Sequence, residues 1–401
     1  MNVLVTATTF PNSISDGSPR FVYDLCMALA ERKNIRPIIL VPHSKGASIK
    51  EDMDGLTVFR YRYSLSKFEL ISGNGIVVKI KKNKLLIFLV PFLLLFQISH
   101  SMYLIKKYDI DVVLANWIVP QGLIAVIVKT LMWRRNLKVI IVSHGGDAAL
   151  LKKNIILKKL ASYILNRADS VVAVSHFIKN RLTQFINTPK DISVISMGVN
   201  TEMFRNKLSN INCERDFDVI FIGRLEPKKG ISYLIEAIGK LKKRPDLRVV
   251  IIGDGSHKEE LSELVISNGL QHNIEFTGSL SHRQVGQYLT KSRIFAAPSI
   301  NLSDDTEGMP TVLLEAMAAG IPIITTDAGG IGDVVINSYN GLVVEQRNTE
   351  ELAEKILLLL ENPKLRIKLA HNGVKHVEQF TYKIISQKYE EIIRNADLGL
   401  K

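Results

Sequence analysis

The sequence predicts an α/β protein made of two Rossmann-like domains, each with a mainly parallel sheet covered by helices. The chain has 401 residues, which is too long for one ordinary domain. Short apolar runs alternate with longer helical stretches, which is the pattern of βαβ units. The runs are continuously apolar, as expected for parallel strands buried on both faces.

The predicted strands fall into two sets, one in each half of the chain. They lie at 2–6, 37–41, 56–61, 112–115, 138–143 and 170–174, and then at 217–222, 248–252, 274–277, 294–298, 322–326 and 341–343. A further predicted strand at 192–195 is followed by Gly198 and Asn200, which favour a turn between the two domains. We therefore predict domains at 1–196 and 204–380. If the two domains face each other, a cleft lies between the C-terminal ends of both sets of strands, where ligands usually bind.

Composition restricts the class of protein. Apolar residues make up 46% of the chain, enough for two substantial cores. The two cysteines, Cys26 and Cys213, argue against a disulfide framework and suit a reducing compartment. The N-terminus predicts a first buried strand rather than a signal peptide, so we expect a cytoplasmic protein.

Positive charge is concentrated in the first half of the chain. Residues 1–200 hold 27 Lys and Arg against 12 Asp and Glu, a net charge of +15, whereas residues 201–401 hold 25 against 27, a net charge of −2. Such one-sidedness suggests an acidic partner for the first half, namely nucleic acid, anionic membrane or an anionic substrate.

One segment of the first half fits a membrane surface. Lys79, Lys81, Lys82 and Lys84 precede the apolar run 85–96. Twelve nonpolar residues are too few to span a bilayer, which takes about 20. The segment therefore predicts either a monotopic anchor beside anionic headgroups or a helix buried against the sheet. The charge asymmetry favours the anchor, and hence a peripheral location on the inner face of the cell membrane.

The segment Thr306–Gly320 has the strongest chemical pattern. Gly308, Met309, Pro310 and Thr311 lead into a helix whose free backbone N–H groups make an anion site suited to a diphosphate. Glu307 lies just before this helix and Glu315 about one turn into it. Carboxylates accept hydrogen bonds from sugar and ribose hydroxyls, so both acids have a use beside a nucleotide-sugar.

Two further motifs follow predicted strands. Arg224 and Lys229 lie five residues apart after 217–222, where both can reach one anionic group. His144 and Asp147 follow 138–143 with two glycines between them, and we expect both to point into the cleft. Gly17, Gly253 and Leu280 lie in other loops that follow strands and are weaker candidates for substrate binding.

A metal site is not expected. Asp109 and Asp111 have the spacing of a metal-binding D-x-D motif but precede a strand, at the wrong end for the cleft. We interpret them as a solvated cap. There is no Cys and His cluster suited to zinc, so no cofactor is predicted.

These motifs together resemble the family 4 retaining glycosyltransferases, whose fold is called GT-B. The resemblance is densest in 143–147, 223–230, 253–255 and 306–320. The run 114–122 resembles members that build bacterial surface polysaccharides. Many members carry Pro and Glu after the Gly329-Gly330 pair, where this chain has Ile331, Gly332 and Asp333.

The resemblance implies the site residues and their roles. Arg224 and Lys229 would hold the donor diphosphate, Glu307 would bind the donor sugar with help from the 308–311 backbone, Glu315 would bind the ribose, and His144 would contact the sugar. It also implies retention of anomeric configuration without metal. A C-terminal helix at about 382–401 would pack back on the first domain.

We therefore predict transfer of a sugar from a UDP- or GDP-sugar to a saccharide or lipid-linked acceptor, with no nucleic-acid partner. Two alternatives stay open: a nucleotide-sugar epimerase of the same shape, and a non-enzymatic basic protein that binds membranes.

Overall fold

The computed structural model describes residues 1–13, 19–65, 68–69, 79–80, 83–133, 136–147, 155–187, 191–204, 215–241, 244–303 and 305–398. The chain forms two compact units. The first contains Met1–Met197 together with Tyr382–Lys401, and the second is Gly198–Thr381. Gly17 and Cys213, singled out above, lie outside the described residues.

The first unit is built on a sheet that has eight strands in its described part. In chain order they are β1 (Asn2–Thr6), β2 (Arg36–Pro42), β3 (Lys50–Met53), β4 (Leu56–Tyr61), β5 (Val112–Asn116), β6 (Lys138–Ser143), β7 (Ser170–Ala173) and β8 (Ile192–Val194). Their spatial order is β3-β4-β2-β1-β5-β6-β7-β8. The pairs are parallel except β3 with β4. The sheet is therefore doubly wound, as a Rossmann-like domain requires.

Helices cover both faces of this sheet. They are α1 (Phe21–Ala30), α2 (Val90–Lys107), α3 (Leu123–Leu131), α4 (Ile155–Arg167), α5 (His176–Thr183) and the C-terminal helix Tyr382–Leu398. The C-terminal helix packs on α1, whereas α3 packs against both α2 and α4. From β1 the chain crosses the sheet in one direction to β2 and β4, and then returns to β5 on the other side of β1. Right-handed crossovers therefore put α1 and α2 on opposite faces of the sheet. Both α2 and α4 begin at the C-terminal edge of the parallel strands.

A buried hydrogen-bonded chain fixes α2 to the sheet. The Tyr61 hydroxyl at the end of β4 donates to Gln97 Oε1 in α2 at 2.8 Å. The Gln97 amide in turn donates to Gln121 Oε1 in the turn Ile118–Gly122. All three side chains are fully buried. Because buried polar groups are costly to leave unpaired, this chain holds one face of α2 against the protein.

The described part of the second unit contains a parallel sheet with six strands: β9 (Phe217–Ile222), β10 (Val249–Ile252), β11 (Ile274–Gly278), β12 (Ser292–Ala297), β13 (Ile323–Thr326) and β14 (Gly341–Val344). Their order is β11-β10-β9-β12-β13-β14. Its helices are α6 (Thr201–Phe204), α7 (Ile231–Lys240), α8 (Lys258–Ser267), α9 (His282–Thr290), α10 (Thr311–Ala318), α11 (Thr349–Glu361) and α12 (Pro363–Val377). The order again reverses, beside β9, which places the loops after β9 and β12 next to each other.

The predicted α/β fold is confirmed, and every predicted strand coincides with an observed one to within two residues at either end. The sequence analysis missed β3, whose residues Lys50, Glu51 and Asp52 give no apolar run. This strand forms an edge hairpin with β4 through Asp54 and Gly55, which both have left-handed backbone angles (φ +52° and +86°).

Asp111 has a structural role at the N-terminal edge of the first sheet. Its Oδ2 accepts a hydrogen bond from the Asn2 backbone N–H at 3.1 Å, and its carbonyl accepts one from Lys138. The Asn2 amide donates to the carbonyl of Tyr108 at 2.7 Å and to that of Asp109 at 3.4 Å. The interpretation of this D-x-D spacing as a cap is therefore consistent with its contacts.

Candidate active site

The loop after β9 carries the positive charges of the candidate site. It holds Arg224, passes through the 3₁₀ turn Pro227–Lys229 and enters α7 at Gly230. Two lysines of this turn are largely buried, because Lys229 has 13% and Lys228 11% of its side chain exposed. Arg224 is 62% exposed, with Nη1 2.7 Å from Glu226 Oε1. The loop therefore presents one exposed and two largely buried cations.

Both buried lysines meet carboxylates from the loop after β12. Lys229 Nζ lies 3.0 Å from Glu307 Oε1, and Lys228 Nζ lies 2.9 Å from Asp305 Oδ1. The Lys229 contact is within ion-pair distance, but its angle does not fit a well-formed hydrogen bond. We therefore describe it as an ion pair, in which Lys229 has donor capacity left for a further anion.

The lysines determine the charge state of Glu307. Burial alone would raise the pKa of this carboxyl, which is 7% exposed. Attraction to Lys229, Lys228 and Arg224 outweighs burial and holds the pKa of Glu307 below its ordinary value. Glu307 is therefore ionised at neutral pH and acts as a hydrogen-bond acceptor, which suits sugar hydroxyls.

An uncapped helix start lies four residues beyond Glu307. The helix α10 begins at Thr311 after Pro310, and no described side chain caps it. The first N–H groups of a helix have no partner within the helix and carry partial positive charge, so they attract anions. Gly308 is half-buried and Met309 is buried along the approach to this helix start.

Gly329 fixes the backbone of Glu307 from the loop after β13. The Gly330 N–H donates to the Glu307 carbonyl at 3.2 Å. Gly329 has φ +60°, and a Cβ at this position would lie 2.0 Å from the same carbonyl oxygen. Only glycine fits this approach without displacing Glu307.

We expect Gly329→Ala to lower the free energy of unfolding by about 2–4 kcal/mol and to weaken nucleotide-sugar binding, because the clash moves Glu307. Gly332→Ala is the matched control in the same loop, since a Cβ there meets nothing within 4 Å. Urea unfolding and donor titration measure the two effects. Equal behaviour of the two variants would contradict this account.

The remaining residues predicted in the second unit lie around the same edge of its sheet. A Cβ on Gly253 would lie 1.9 Å from the Gly223 carbonyl, so this glycine lets the loops after β9 and β10 pack together. Leu280 is half-buried between β11 and α9, and Glu315 is half-buried in the second turn of α10. Their predicted contacts with substrate stay predictions.

In the first unit, Asn116 determines which ring nitrogen of His144 carries the proton. Asn116 ends β5 and is buried, and its amide nitrogen donates to the Thr6 carbonyl at 3.2 Å. The amide oxygen therefore faces His144 Nε2, 2.9 Å away, and must accept a hydrogen bond from it. The proton consequently sits on Nε2, and Nδ1 carries a lone pair.

Two aromatic rings enclose this histidine. The ring centroids of Phe21 and Trp117 each lie 5.0 Å from that of His144. Burial lowers the pKa of His144 to about 3, so the ring is neutral over the physiological range. The Nδ1 atom is buried and has no hydrogen-bond partner among the described residues. In this tautomer Nδ1 is a hydrogen-bond acceptor, and the predicted contact of His144 with the donor sugar stays a prediction.

Asp147 supports the loop that carries His144. Its Oδ1 accepts hydrogen bonds from the Ser143 hydroxyl at 2.9 Å and the Gly145 N–H at 3.1 Å, and its Oδ2 accepts one from the Ile118 N–H at 2.9 Å. These contacts give Asp147 a positioning role in the fold. Its predicted contact with substrate remains a prediction.

Comparison with known proteins identifies the family. Residues 204–376 match the model of glycosyl transferases group 1, and residues 15–203 match that of glycosyltransferase family 4. An uncharacterized glycosyltransferase of Methanocaldococcus jannaschii is 33% identical over 294 residues, which cover 72% of this chain and 78% of the relative. The chain belongs to the family 4 glycosyltransferases.

Two other similarities bear on this glycosyltransferase. The GDP-mannose-dependent alpha-(1-6)-phosphatidylinositol monomannoside mannosyltransferase of Mycobacterium tuberculosis is 25% identical, covering 73% of this chain and 78% of the relative. The structure of the HepE protein of Anabaena in complex with UDP-glucose superposes with a TM-score of 0.73 at 17% identity, covering 98% of this chain and 100% of that one. The fold is GT-B, as predicted.

The structure brings some predicted residues of the glycosyltransferase together and adds others. Lys229 and Glu307 are in contact, with Arg224 on the same loop as Lys229. The sequence analysis missed Asp305, because its partner Lys228 lies in a basic turn of a common kind. It also missed Asn116, although a polar residue that ends a strand beside the strand of His144 was a usable signal.

Proposed function

We propose that this glycosyltransferase is a retaining enzyme that transfers a sugar from a UDP- or GDP-sugar to a saccharide or lipid-linked acceptor, without a metal ion. The observation that carries the proposal is the Lys229–Glu307 pair beside the uncapped start of α10. It places fixed positive charge, backbone N–H groups and an ionised carboxylate at one edge of a parallel sheet. A nucleotide-sugar offers the matching groups, a diphosphate and hydroxyls.

In this proposal the diphosphate is the leaving group and the protein stabilises its charge. Lys229, Arg224 and the N–H groups of α10 face the diphosphate oxygens, where negative charge grows as the bond to C1 of the sugar breaks. Preorganised cations can take the place of a metal ion in this role. The mechanism therefore needs no divalent cation.

Glu307 binds the sugar in this proposal, since its ionised carboxylate presents lone pairs to hydroxyl groups. The Nδ1 lone pair of His144 in the first unit is a second candidate acceptor for a substrate hydroxyl. The acceptor hydroxyl attacks C1 from the face that the diphosphate leaves. A new bond from acceptor oxygen to C1 forms, the bond from C1 to diphosphate oxygen breaks, and the acceptor proton passes to the diphosphate. The configuration at C1 is retained. The binding of UDP-glucose by HepE and the GDP-mannose dependence of the mycobacterial relative support both nucleotides as candidates.

The proposal extends to the location of the enzyme. The charge of +15 in the first 200 residues supports a peripheral location on the inner face of the cell membrane. The phosphatidylinositol mannoside named for the mycobacterial relative is a lipid, which supports a lipid-linked acceptor here.

A transfer assay with UDP- and GDP-sugars in the presence of EDTA tests the proposal. We expect nucleoside diphosphate release that depends on acceptor, and NMR of the product should show the anomeric configuration of the donor. An inverted product or a requirement for divalent cation would contradict retention or metal independence. Interconversion of the donor without acceptor would indicate an epimerase instead.

A further inference from the structure

The start of α2 carries an exposed apolar surface that the donor site does not use. We call this surface the apolar ridge, and it consists of Leu85, Ile87, Phe88, Phe92, Leu95 and Phe96. These side chains are 44–72% exposed. Soluble proteins seldom expose so many large apolar side chains together, and such patches mark interaction sites.

Apolar and polar residues are unevenly distributed along the exposed side of α2. Phe92, Leu95 and Phe96 lie near its start, whereas Tyr103 is exposed nearer its end among the exposed Ser99, Lys106 and Lys107. The start of α2 lies at the C-terminal edge of the first sheet. The exposed apolar side chains of α2 are therefore most concentrated at this edge.

A second exposed apolar pair lies at the same edge. Ile155 and Ile156 begin α4 and are each 69% exposed, and the exposed Lys158 and Lys159 follow after Leu157. The helices α2 and α4 flank α3 on one face of the sheet. Leu65 and Phe68, which follow β4, are also exposed, at 69% and 48%.

Lysines border the apolar ridge. Lys84 is exposed directly before Leu85, and the half-buried Lys79 lies five residues earlier, whereas Lys81 and Lys82 lie outside the described residues. Apolar side chains flanked by lysines match a bilayer interface, where the apolar groups enter the acyl boundary and the ammonium groups meet headgroup phosphates.

The segment Lys84–Lys107 is long and apolar enough to cross a membrane by length and composition. The fold opposes crossing, because Gln97 and Ser101 on the inner face of α2 are buried against the protein and Gln97 bonds to Tyr61 and Gln121. The outer face is free for lipid while the inner face stays in the core.

We propose that the apolar ridge, with Ile155 and Ile156, docks the protein on the surface of an anionic bilayer. The protein then lies on the membrane and does not span it. Docking on a bilayer also selects the class of acceptor, a step that rests on the proposed function. A bilayer held at the edge of the sheet where β5 and β6 end in Asn116 and Ser143 brings lipid-linked acceptors to that edge in preference to soluble saccharides.

Vesicle flotation of the full chain tests the docking. We expect the protein to float with vesicles that contain about one-third phosphatidylglycerol, and less with pure phosphatidylcholine. The variant Phe88→Ser/Phe92→Ser/Leu95→Ser should float about tenfold less. The matched control Ile266→Ser/Ile336→Ser/Leu358→Ser removes three exposed apolar side chains of the second unit and should float like wild type.

Charge and self-association are measured on the same proteins. Lys79→Gln/Lys84→Gln should lower flotation with anionic vesicles and leave that with neutral vesicles unchanged. Flotation equal to wild type in the Phe88/Phe92/Leu95 variant would overturn the docking. The docking would also be overturned if neither protein floats and wild type forms a dimer in sedimentation that this variant does not form. The apolar ridge would then be a contact surface for a second copy of the chain.

A separate assay tests the acceptor class. The nucleotide-sugar is offered with vesicles of bacterial polar lipids or with soluble oligosaccharides, and we expect label in the lipid fraction that the Phe88/Phe92/Leu95 variant loses. Transfer to soluble saccharide alone, with flotation intact, would overturn the acceptor assignment. Flotation without transfer to either acceptor would count against the proposed function and leave the docking standing.

Discussion

Replacing Lys229 with alanine is expected to lower kcat by about 10²–10³-fold, because one fixed charge at a developing oxyanion contributes about this much. The change also removes the nearest cation from Glu307, which is buried. Burial remains while the largest attraction is lost, so the pKa of Glu307 rises above that in wild type. As pH is lowered, the activity of the variant should therefore begin to fall at a higher pH than the activity of wild type.

The sign of the stability change follows from the same shift. Because the pKa of Glu307 is lowered in the folded wild type, this carboxylate contributes stability above its unfolded pKa and loses it as pH falls through the folded value. In Lys229→Ala this contribution is lost, and acid unfolding should begin at higher pH. Lys240→Ala, which removes an exposed lysine paired with Glu350, is the matched control.

Steady-state rates across pH, together with acid unfolding, check these expectations for Lys229. Turnover close to that of wild type, or an unchanged acid limb of the pH profile, would exclude the role given to this lysine. Arg224→Ala should lower turnover with a smaller effect on stability, because this side chain is mostly exposed.

Asn116→Asp is expected to lower the rate about 10- to 100-fold in the acid range below the new pKa of His144, with recovery as pH rises toward neutral. The new carboxylate would face His144 Nε2 and raise the pKa of His144 from about 3. Below the new pKa both ring nitrogens carry protons, so Nδ1 cannot accept a hydroxyl. Above it the acceptor returns.

Two measurements separate this positioning role of Asn116 from general loss of structure. Nitrogen NMR of labelled histidine in the acid range should report an unprotonated Nδ1 in wild type and, below the new pKa, a protonated one in Asn116→Asp. Asn2→Asp is the control, since it also removes an amide that donates to backbone carbonyls of the same sheet but has no histidine partner among its described contacts. A rate loss that does not vary with pH would show that Asn116 is structural alone.

Much of the fold could be predicted because apolar runs and turn residues are local signals. The strand β3 could not be predicted, because Lys50, Glu51 and Asp52 form no apolar pattern. Pairing with β4 holds these residues in an extended strand. In the site, the positions of Arg224, Lys229 and Glu307 followed from motifs at strand ends. The carboxylate partner of Lys228 is Asp305, and the tautomer of His144 depends on the hydrogen bond from Asn116 to Thr6. Both contacts join residues far apart in sequence, so local patterns do not predict them.

The return of the chain to the first unit has a consequence for biosynthesis. The Arg32 side chain contacts Ser386 at 3.1 Å and Glu390 at 3.8 Å, and Ile385, Tyr389 and Ile393 of the C-terminal helix are buried. A nascent first unit lacks this cover until the ribosome has made the helix Tyr382–Leu398. The second unit is continuous, so it can finish folding earlier, although its sequence comes later. We expect a chain stopped before Tyr382 to need chaperones.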